Sequence, residues 1–428
     1  MTEEDESSDK EMNLLMKWSN GISFVAGSPG VELMKRCSEM LLTASKSVLG
    51  SSTIDIGNLF RYGAEQGDAD FREQLSCFLS HEYRDKVKSA NLMVTAGATQ
   101  GLHAILSLLC DKASPIFVED PSYFFAVRMI RDDLQMNLVP VPCDECGINP
   151  ELLDQFLIAH KREFYKGNNS NINKRYTRFW AAAYLIPVFN NPTGQTYSET
   201  RCKELIQLAR KHNILLIAED IYNLIHFDES GLAPQRLLHY DNTSDPDYGG
   251  GHVLSNGTFS KIFAPSIRLG WIEGPEQLLF KMYNSNLTWS GGSFNHYMAK
   301  LMANILASGI LYDHLKFTRS AYQERMFALC AALDELCPDG WSYPRPQGGY
   351  FLWITFPQNI DARKFELFAR DNYGVGFLPG VYCSPTNSFI NCARLSISSL
   401  QVDTIIEGAK KLFSAYQGYV IHIKPITD

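Results

Sequence analysis

The sequence has no basic stripe, no internal repeat and no apolar run that nears the ~20 residues of a membrane-spanning helix. With 39 Lys and Arg against 47 Asp and Glu, the net charge is −8 and the surface on average repels a phosphate backbone. Nucleic acid and membrane are therefore not expected partners. The first ten residues, MTEEDESSDK, lack the apolar core of a secretory signal and the basic, acid-poor composition of a transit peptide, so a cytoplasmic location is expected. Without a secretion signal the N-x-S/T triplets at Asn168, Asn242, Asn256 and Asn286 read as coincidence. A second metal-ligand pair is also missing. Of the ten cysteines only Cys143 and Cys146 stand close together, and that C-D-E-C reads as a turn between a strand and Gly147, so no metal site is expected. Scattered free thiols fit a reducing compartment.

What is present is a chain of 428 residues, 45% hydrophobic and 20% charged, long enough for two domains. Short apolar runs at 91–95, 115–119, 184–189, 214–218 and 252–255 alternate with helical patterns. In the helix expected over 99–110, Leu102, Ile105, Leu106 and Leu109 share one face. The helix expected over 198–213 opens on a Ser N-cap and turns Leu205, Leu208 and Ala209 inward. Continuously apolar strands alternating with helices predict an α/β fold whose mostly parallel sheet is covered on both faces. The polar stretches 166–174 and 245–251 read as loops. Beyond about residue 300 a long helical stretch and alternating strands at 350–356 and 394–398 predict a smaller α+β domain. The expected division is an N-terminal tail and arm over 1–50, partly joining the small domain, a large domain over 51–300, and the small domain over 301–428.

Ligands in such sheets sit at the carboxyl ends of the strands. After 91–95 comes Ala96-Gly97-Ala98-Thr99-Gln100, small residues that open a helix and can present backbone N–H groups to an anion. After 184–189 comes Asn190-Asn191-Pro192-Thr193-Gly194, and after 214–218 comes Glu219-Asp220-Ile221-Tyr222. After 252–255 comes Asn256-Gly257-Thr258-Phe259-Ser260-Lys261, with Arg268 seven residues on. Taken singly, each has a plain structural reading: a tight turn, a Pro-Gly turn, a helix cap, a surface lysine. Their order and spacing carry the case, because a hydroxyl-rich anion site, an amide, an acid, a phenol and a lysine converge on one sheet edge.

That set resembles the class I/II aminotransferases of the fold-type-I pyridoxal-phosphate superfamily over about residues 20–400. Segments 118–128, 187–194 and 263–271 are most similar to the 2-aminoadipate/kynurenine branch. The resemblance implies pyridoxal 5'-phosphate held as a Schiff base on Lys261, which would then serve as the base. It implies Asp220 on the pyridinium nitrogen, Tyr222 and Asn191 on the phenolate oxygen, and Tyr123 stacked on the ring. Ala98, Thr99, Thr258, Ser260 and Arg268 would hold the phosphate, and Tyr62 would reach the phosphate of a neighbouring subunit in a homodimer. Arg394, in C-A-R-L-S, would clamp the substrate α-carboxylate, with Asn191 and Gly27 lining the substrate pocket. The branch often has Ser-Gln where this chain has Ala98-Thr99, and Gly-Leu-Pro where it has Gly27-Ser28-Pro29. The chemistry is consistent with these residue types: a carbanion at Cα needs a protonated pyridine with an anion beside it, and lysine can both form an imine and move a proton.

The implied activity is transfer of an α-amino group between an amino acid, aromatic or 2-aminoadipate-like favoured, and a 2-oxo acid such as 2-oxoglutarate. Two alternatives use the same residues. One is β-elimination or decarboxylation on the same cofactor. The other is a cofactor-binding sensor without turnover, as in regulators that carry a basic DNA-binding segment ahead of an aminotransferase-like domain; only about 20 mostly acidic residues precede the matching region here.

Overall fold

The structure, a computed structural model, describes residues 11–52, 56–167, 178–228, 231–336 and 338–423. The acidic segment 1–10 and all but the first residues of the 166–174 loop lie outside these.

Among the described residues thirteen strands occur in chain order: β1 (Ile22–Ser23), β2 (Leu92–Thr95), β3 (Pro115–Asp120), β4 (Asn137–Asp144), β5 (Gly147–Ile148), β6 (Ala182–Leu185), β7 (Leu215–Glu219), β8 (Val253–Thr258), β9 (Gly270–Glu273), β10 (Phe351–Thr355), β11 (Val375–Gly376), β12 (Leu378–Pro379) and β13 (Cys392–Ser396). Eight form one sheet in the order β2-β9-β8-β7-β6-β3-β4-β5. Strands β8, β7, β6, β3 and β4 run parallel, and β9 is antiparallel to both its neighbours. Strands β3, β6, β7 and β8 are buried along their whole length, as a doubly covered parallel sheet requires.

Alternation along the strands sorts their side chains to two faces. Leu215, Ile217 and Leu254 pack on one face with Leu102 and Ile105 of the helix Ala98–Leu109. Leu216, Ala218 and Val253 pack on the other with Leu205 and Ala209 of the helix Glu199–His212. Both helices fall within a residue of the expected bounds, and the Ser198 hydroxyl caps the second by accepting from the Arg201 N–H. Leu208, expected inward, is only half-buried, and Ile206 takes the buried position. The run expected as a strand over 184–189 pairs instead over 182–185, and Ile186–Phe189 continue as buried irregular chain toward the N-P-T-G turn.

The C-D-E-C segment is a turn, joining β4 to β5 with Cys143 opposite Ile148. Its cysteines and the seven others described are free, and no metal-holding cluster occurs among the described residues. No described helix is long and apolar enough to cross a membrane.

At the carboxy-terminal end β10, β13 and β12 form an antiparallel sheet, with the helices Ile310–Leu336 and Val402–Ile423 packed against each other nearby. The chain from residue 22 onward joins this region. β1 pairs in parallel with β11, and the Phe24 carbonyl accepts from Ser396 N at 2.8 Å.

Candidate active site

The sheet's carboxyl edge holds the lysine. Thr258 ends β8, and the turn after it carries Ser260 and Lys261. Tyr350 fixes this turn by donating from its hydroxyl to the Lys261 carbonyl at 2.8 Å. The lysine Nζ donates to the Gly27 carbonyl at 2.7 Å. Gly27 can lie so close only as glycine, since a Cβ there would stand 2.7 Å from the Phe351 ring. Burial pushes the Lys261 pKa down to about 8, the Arg394 and Arg268 charges add to this, and Glu219 opposes it. An amine so shifted is neutral, and therefore nucleophilic, in roughly a fifth of chains near pH 7.4, against about a thousandth for an ordinary lysine. The cofactor-free chain is accordingly expected to capture pyridoxal phosphate at a rate that climbs with pH, half-maximal near 8, and levels off above; stopped-flow absorbance across pH checks this. A rate that climbs only near pH 10 would show an ordinary lysine.

Next to the lysine lies a cluster suited to a phosphate. The Thr258 hydroxyl donates to Ser260 Oγ at 3.0 Å and accepts from the Ser260 N–H at 3.1 Å. Arg268 places Nη1 3.4 Å from Ser260 Oγ and donates through Nη2 to the Ala96 carbonyl at 3.0 Å. Gly97, at φ +92°, lets the guanidinium lie against the backbone: a Cβ would meet Nη2 at 2.8 Å. The helix then starts at Ala98, with Thr99 exposed beside it. A helix start, two hydroxyls and an arginine make an anion site of matching charge.

Arg394 is the most unusual residue of the site. It is 2% exposed, and no carboxylate pairs with it among the described residues. Its Nη1 donates to Asn191 Oδ1 at 2.7 Å and its Nη2 to the Val25 carbonyl at 2.6 Å, while Nε has no partner. The guanidinium stacks 4.2 Å from the Phe351 ring centroid. Burial holds its pKa below the usual arginine range. A structural salt bridge does not explain this residue; a buried, unpaired cation is stable only if neutral groups or an incoming anion satisfy it.

Tyr222 packs edge-on to Tyr350 and Phe351, and burial raises its phenol pKa well above 10. Tyr123, half-buried at the end of the turn after β3, packs on the same sheet face as the helix 98–109. The Asn191 loop is braced by an acid to which the sequence reading gave no role. Glu119, at the buried end of β3, accepts from Ile186 N at 2.9 Å, Asn190 Nδ2 at 3.1 Å and the Tyr197 hydroxyl at 2.5 Å. Burial pushes its pKa up to about 7 against these bonds. The signal was in the sequence: a carboxylate closing a run as apolar as P-I-F-V must be paid for by several donors.

The acid that ends β7, Glu219, and the one that follows it, Asp220, separate. Asp220, expected at the ring nitrogen, has both oxygens occupied, accepting from Ser255 Oγ at 2.5 Å and Asn223 Nδ2 at 3.0 Å. It shares a face with Ser255, whereas the lysine's charge partner is Glu219. Strand alternation is the physical reason, since consecutive residues point to opposite faces. Tyr62, expected to serve a neighbouring subunit, is 83% exposed and is not brought to its own chain's site.

The chain is similar to known proteins over most of its length. Residues 34–412 match the family "Aminotransferase class I and II". The aromatic-amino-acid aminotransferase 1 of Thermococcus litoralis is 27% identical, over 94% of this chain and 89% of its own. The crystal structure of a multiple substrate aminotransferase from Thermococcus profundus superposes with a TM-score of 0.81 at 25% identity, covering 97% of this chain and 96% of the other. The α-aminoadipate aminotransferase of Thermus thermophilus, solved with N-(5'-phosphopyridoxyl)-L-leucine, superposes with a TM-score of 0.76 at 26% identity, covering 96% of each. The chain belongs to the class I and II aminotransferases, and it is a pyridoxal-phosphate-dependent transaminase of fold type I.

Proposed function

We propose that the enzyme moves the α-amino group of an aromatic or 2-aminoadipate-like amino acid to a 2-oxo acid such as 2-oxoglutarate. The observation that carries this reading is Arg394, a buried guanidinium with no acid partner, set beside Asn191 and against an aromatic ring. Amino acids and 2-oxo acids share a carboxylate next to the reacting carbon, and a guanidinium matches it with two parallel N–H bonds. The aromatic lining from Phe351 and Phe124 favours a donor with an apolar or aromatic side chain. The names of the relatives, an aromatic-amino-acid and an α-aminoadipate aminotransferase, point the same way.

The cofactor, when bound, supplies the electron sink that stabilises negative charge at the substrate Cα. The chain's residues do the rest. Lys261 Nζ would hold the cofactor covalently and supply the amine that moves the proton at Cα. Arg394 would hold the substrate carboxylate beside that amine, and Asn191 and Tyr222 would bond the cofactor's phenolate oxygen. Thr258, Ser260, Arg268 and the helix start at Ala98 and Thr99 would anchor the phosphate. Tyr123 would pack against the cofactor ring.

The test is a series of kcat/KM values over aromatic, long acidic and aliphatic donors with several 2-oxo acids. Aromatic or long acidic donors should lead. Release of ammonia or carbon dioxide without an acceptor would instead show elimination or decarboxylation, and binding without turnover would show a sensor.

We further propose a homodimer in which Tyr62 completes the partner's phosphate site. Phe60, Tyr62, Leu287 and Trp289 are large apolar or aromatic side chains left exposed, of the kind a subunit interface would cover. Mixing Lys261→Ala chains with Tyr62→Ala chains is expected to restore activity, approaching a quarter of wild-type sites at equal mixing, because one site of each hybrid is intact. No recovery after verified subunit exchange would mean that each site is built within one chain.

A further inference from the structure

We propose that Glu219, not Asp220, is the carboxylate that faces the cofactor's ring nitrogen. The inference rests on the transaminase reading above and assigns a role to a residue beside the one the sequence pattern suggested.

Two independent geometric facts carry it. The first is which face each acid occupies. Glu219 stands opposite Asn256 on β8, and Ala218 opposite Ser255. Asp220 continues the same ladder, its N–H donating to the Asn256 carbonyl at 3.0 Å, so the alternation holds through both acids. Glu219 therefore follows Ile217, and Asn256 follows Leu254, on the face that packs Tyr123 and the helix 98–109. Asn256 ties this face together: its Nδ2 donates to Glu219 Oε2 at 2.9 Å and to the Ala98 carbonyl at 2.8 Å. Thr258, two residues further on, leads into the hydroxyl and arginine cluster. The helix start, the phosphate cluster, the stacking tyrosine and Glu219 thus lie on one side of the sheet. Asp220 follows Ala218 on the other, toward the face packed by the helix 199–212.

The second fact is which acid has an oxygen to offer. Both oxygens of Asp220 are taken, by Ser255 and Asn223, and these bonds fix the turn 220–223. Glu219 uses Oε2 alone; Oε1 has no donor among the described residues. The charge pattern agrees. Glu219 acts on Lys261, Tyr123 and Tyr222, whereas Asp220 is influenced by Arg236 and acts on Cys202 and Tyr83. Burial pushes the Glu219 pKa up to about 8, eased by Asn256. A pyridinium N–H beside it would draw that value down and be held protonated in return.

The experiment uses the holoenzyme reconstituted with pyridoxal phosphate labelled with nitrogen-15 in the ring. The ring-nitrogen resonance reports protonation directly and does not depend on turnover. In the wild type and in Asp220→Asn it should lie in the protonated range, with Asp220→Asn lowering Tm through its lost bonds. In Glu219→Gln it should move to the unprotonated range, and the cofactor should dissociate at least tenfold faster. Glu219→Asp, one methylene shorter, should keep the protonated resonance with weaker cofactor retention. An unchanged resonance in Glu219→Gln, or an equal shift in both variants, overturns the assignment. Should Glu219→Gln fail to fold, infrared difference spectra of the wild type serve: a neutral carboxyl band of the cofactor-free enzyme at pH 7 should disappear on adding cofactor in Asp220→Asn as it does in wild type, and its persistence in either overturns the proposal. Borohydride trapping of the cofactor on Lys261 separates the two levels, since failure to trap there would sink the transaminase site itself.

Discussion

Lys261→Ala is expected to lower transamination at least about 10⁴-fold, which corresponds to about 5 kcal/mol of barrier. Two losses add in this variant. The covalent tether of the cofactor disappears, and so does the amine that moves the Cα proton, a role worth ~10²–10⁴ by itself. The protein should still fold and still bind pyridoxal phosphate through Thr258, Ser260 and Arg268, because those contacts are made among themselves and not through the lysine. What should vanish is the visible absorbance of the attached cofactor, and borohydride should fix no label on the chain. Label on a different lysine, or turnover within a hundredfold of wild type, would show that the lysine after β8 is not the attachment point.

Arg394→Ala should lower kcat/KM by at least tenfold for every amino acid, by a similar factor across donors. Losing a buried charge-assisted contact costs about 2–5 kcal/mol, and the α-carboxylate is common to all substrates. Arg394→Lys keeps the charge but not the fork, and should fall between the two. Stability should respond differently. The buried guanidinium has no acid to offset its desolvation, so Arg394→Ala is expected to leave Tm unchanged or raise it while activity falls. A calorimetric scan beside the kinetic series checks both halves. If the variant reorders donor preference, Arg394 reads a side chain; if Tm drops with activity, its role is structural.

Much of the fold was legible because the relevant signals were local. The fully buried strands β3, β7 and β8 showed as apolar runs, and Ser198 marked its helix start. β4 was not legible. It contains Pro140 and Pro142 and alternates between buried and exposed positions, so neither the apolar-run nor the propensity signal found it. Prolines fit there because only the two-residue β5 covers its outer side, and that at its far end, which leaves most of β4 an edge. β9 was hidden for another reason: G-W-I-E is four residues inside a stretch read for its ligand chemistry. In the site, residue types and order were readable, but direction was not. Glu219 and Asp220 are neighbours with the same charge, and only the pairing register with β8 shows which one faces the lysine. Alternation parts the two acids, but which face each one takes follows from packing against helices distant in sequence.

The segment from Phe24 to Gly30 adds a consequence for how the enzyme is made. Its carbonyls accept from Arg394 at Val25 and from Lys261 at Gly27, and from the Ser398 hydroxyl at Ala26, across separations of 369, 234 and 372 residues. Contacts so far apart in sequence close the largest loops and are the slowest to form. Lys261 and Arg394 are therefore oriented only when a stretch translated early meets chain translated hundreds of residues later. A ribosome-bound chain can complete the parallel sheet, fold the helices over it and still lack its chemistry.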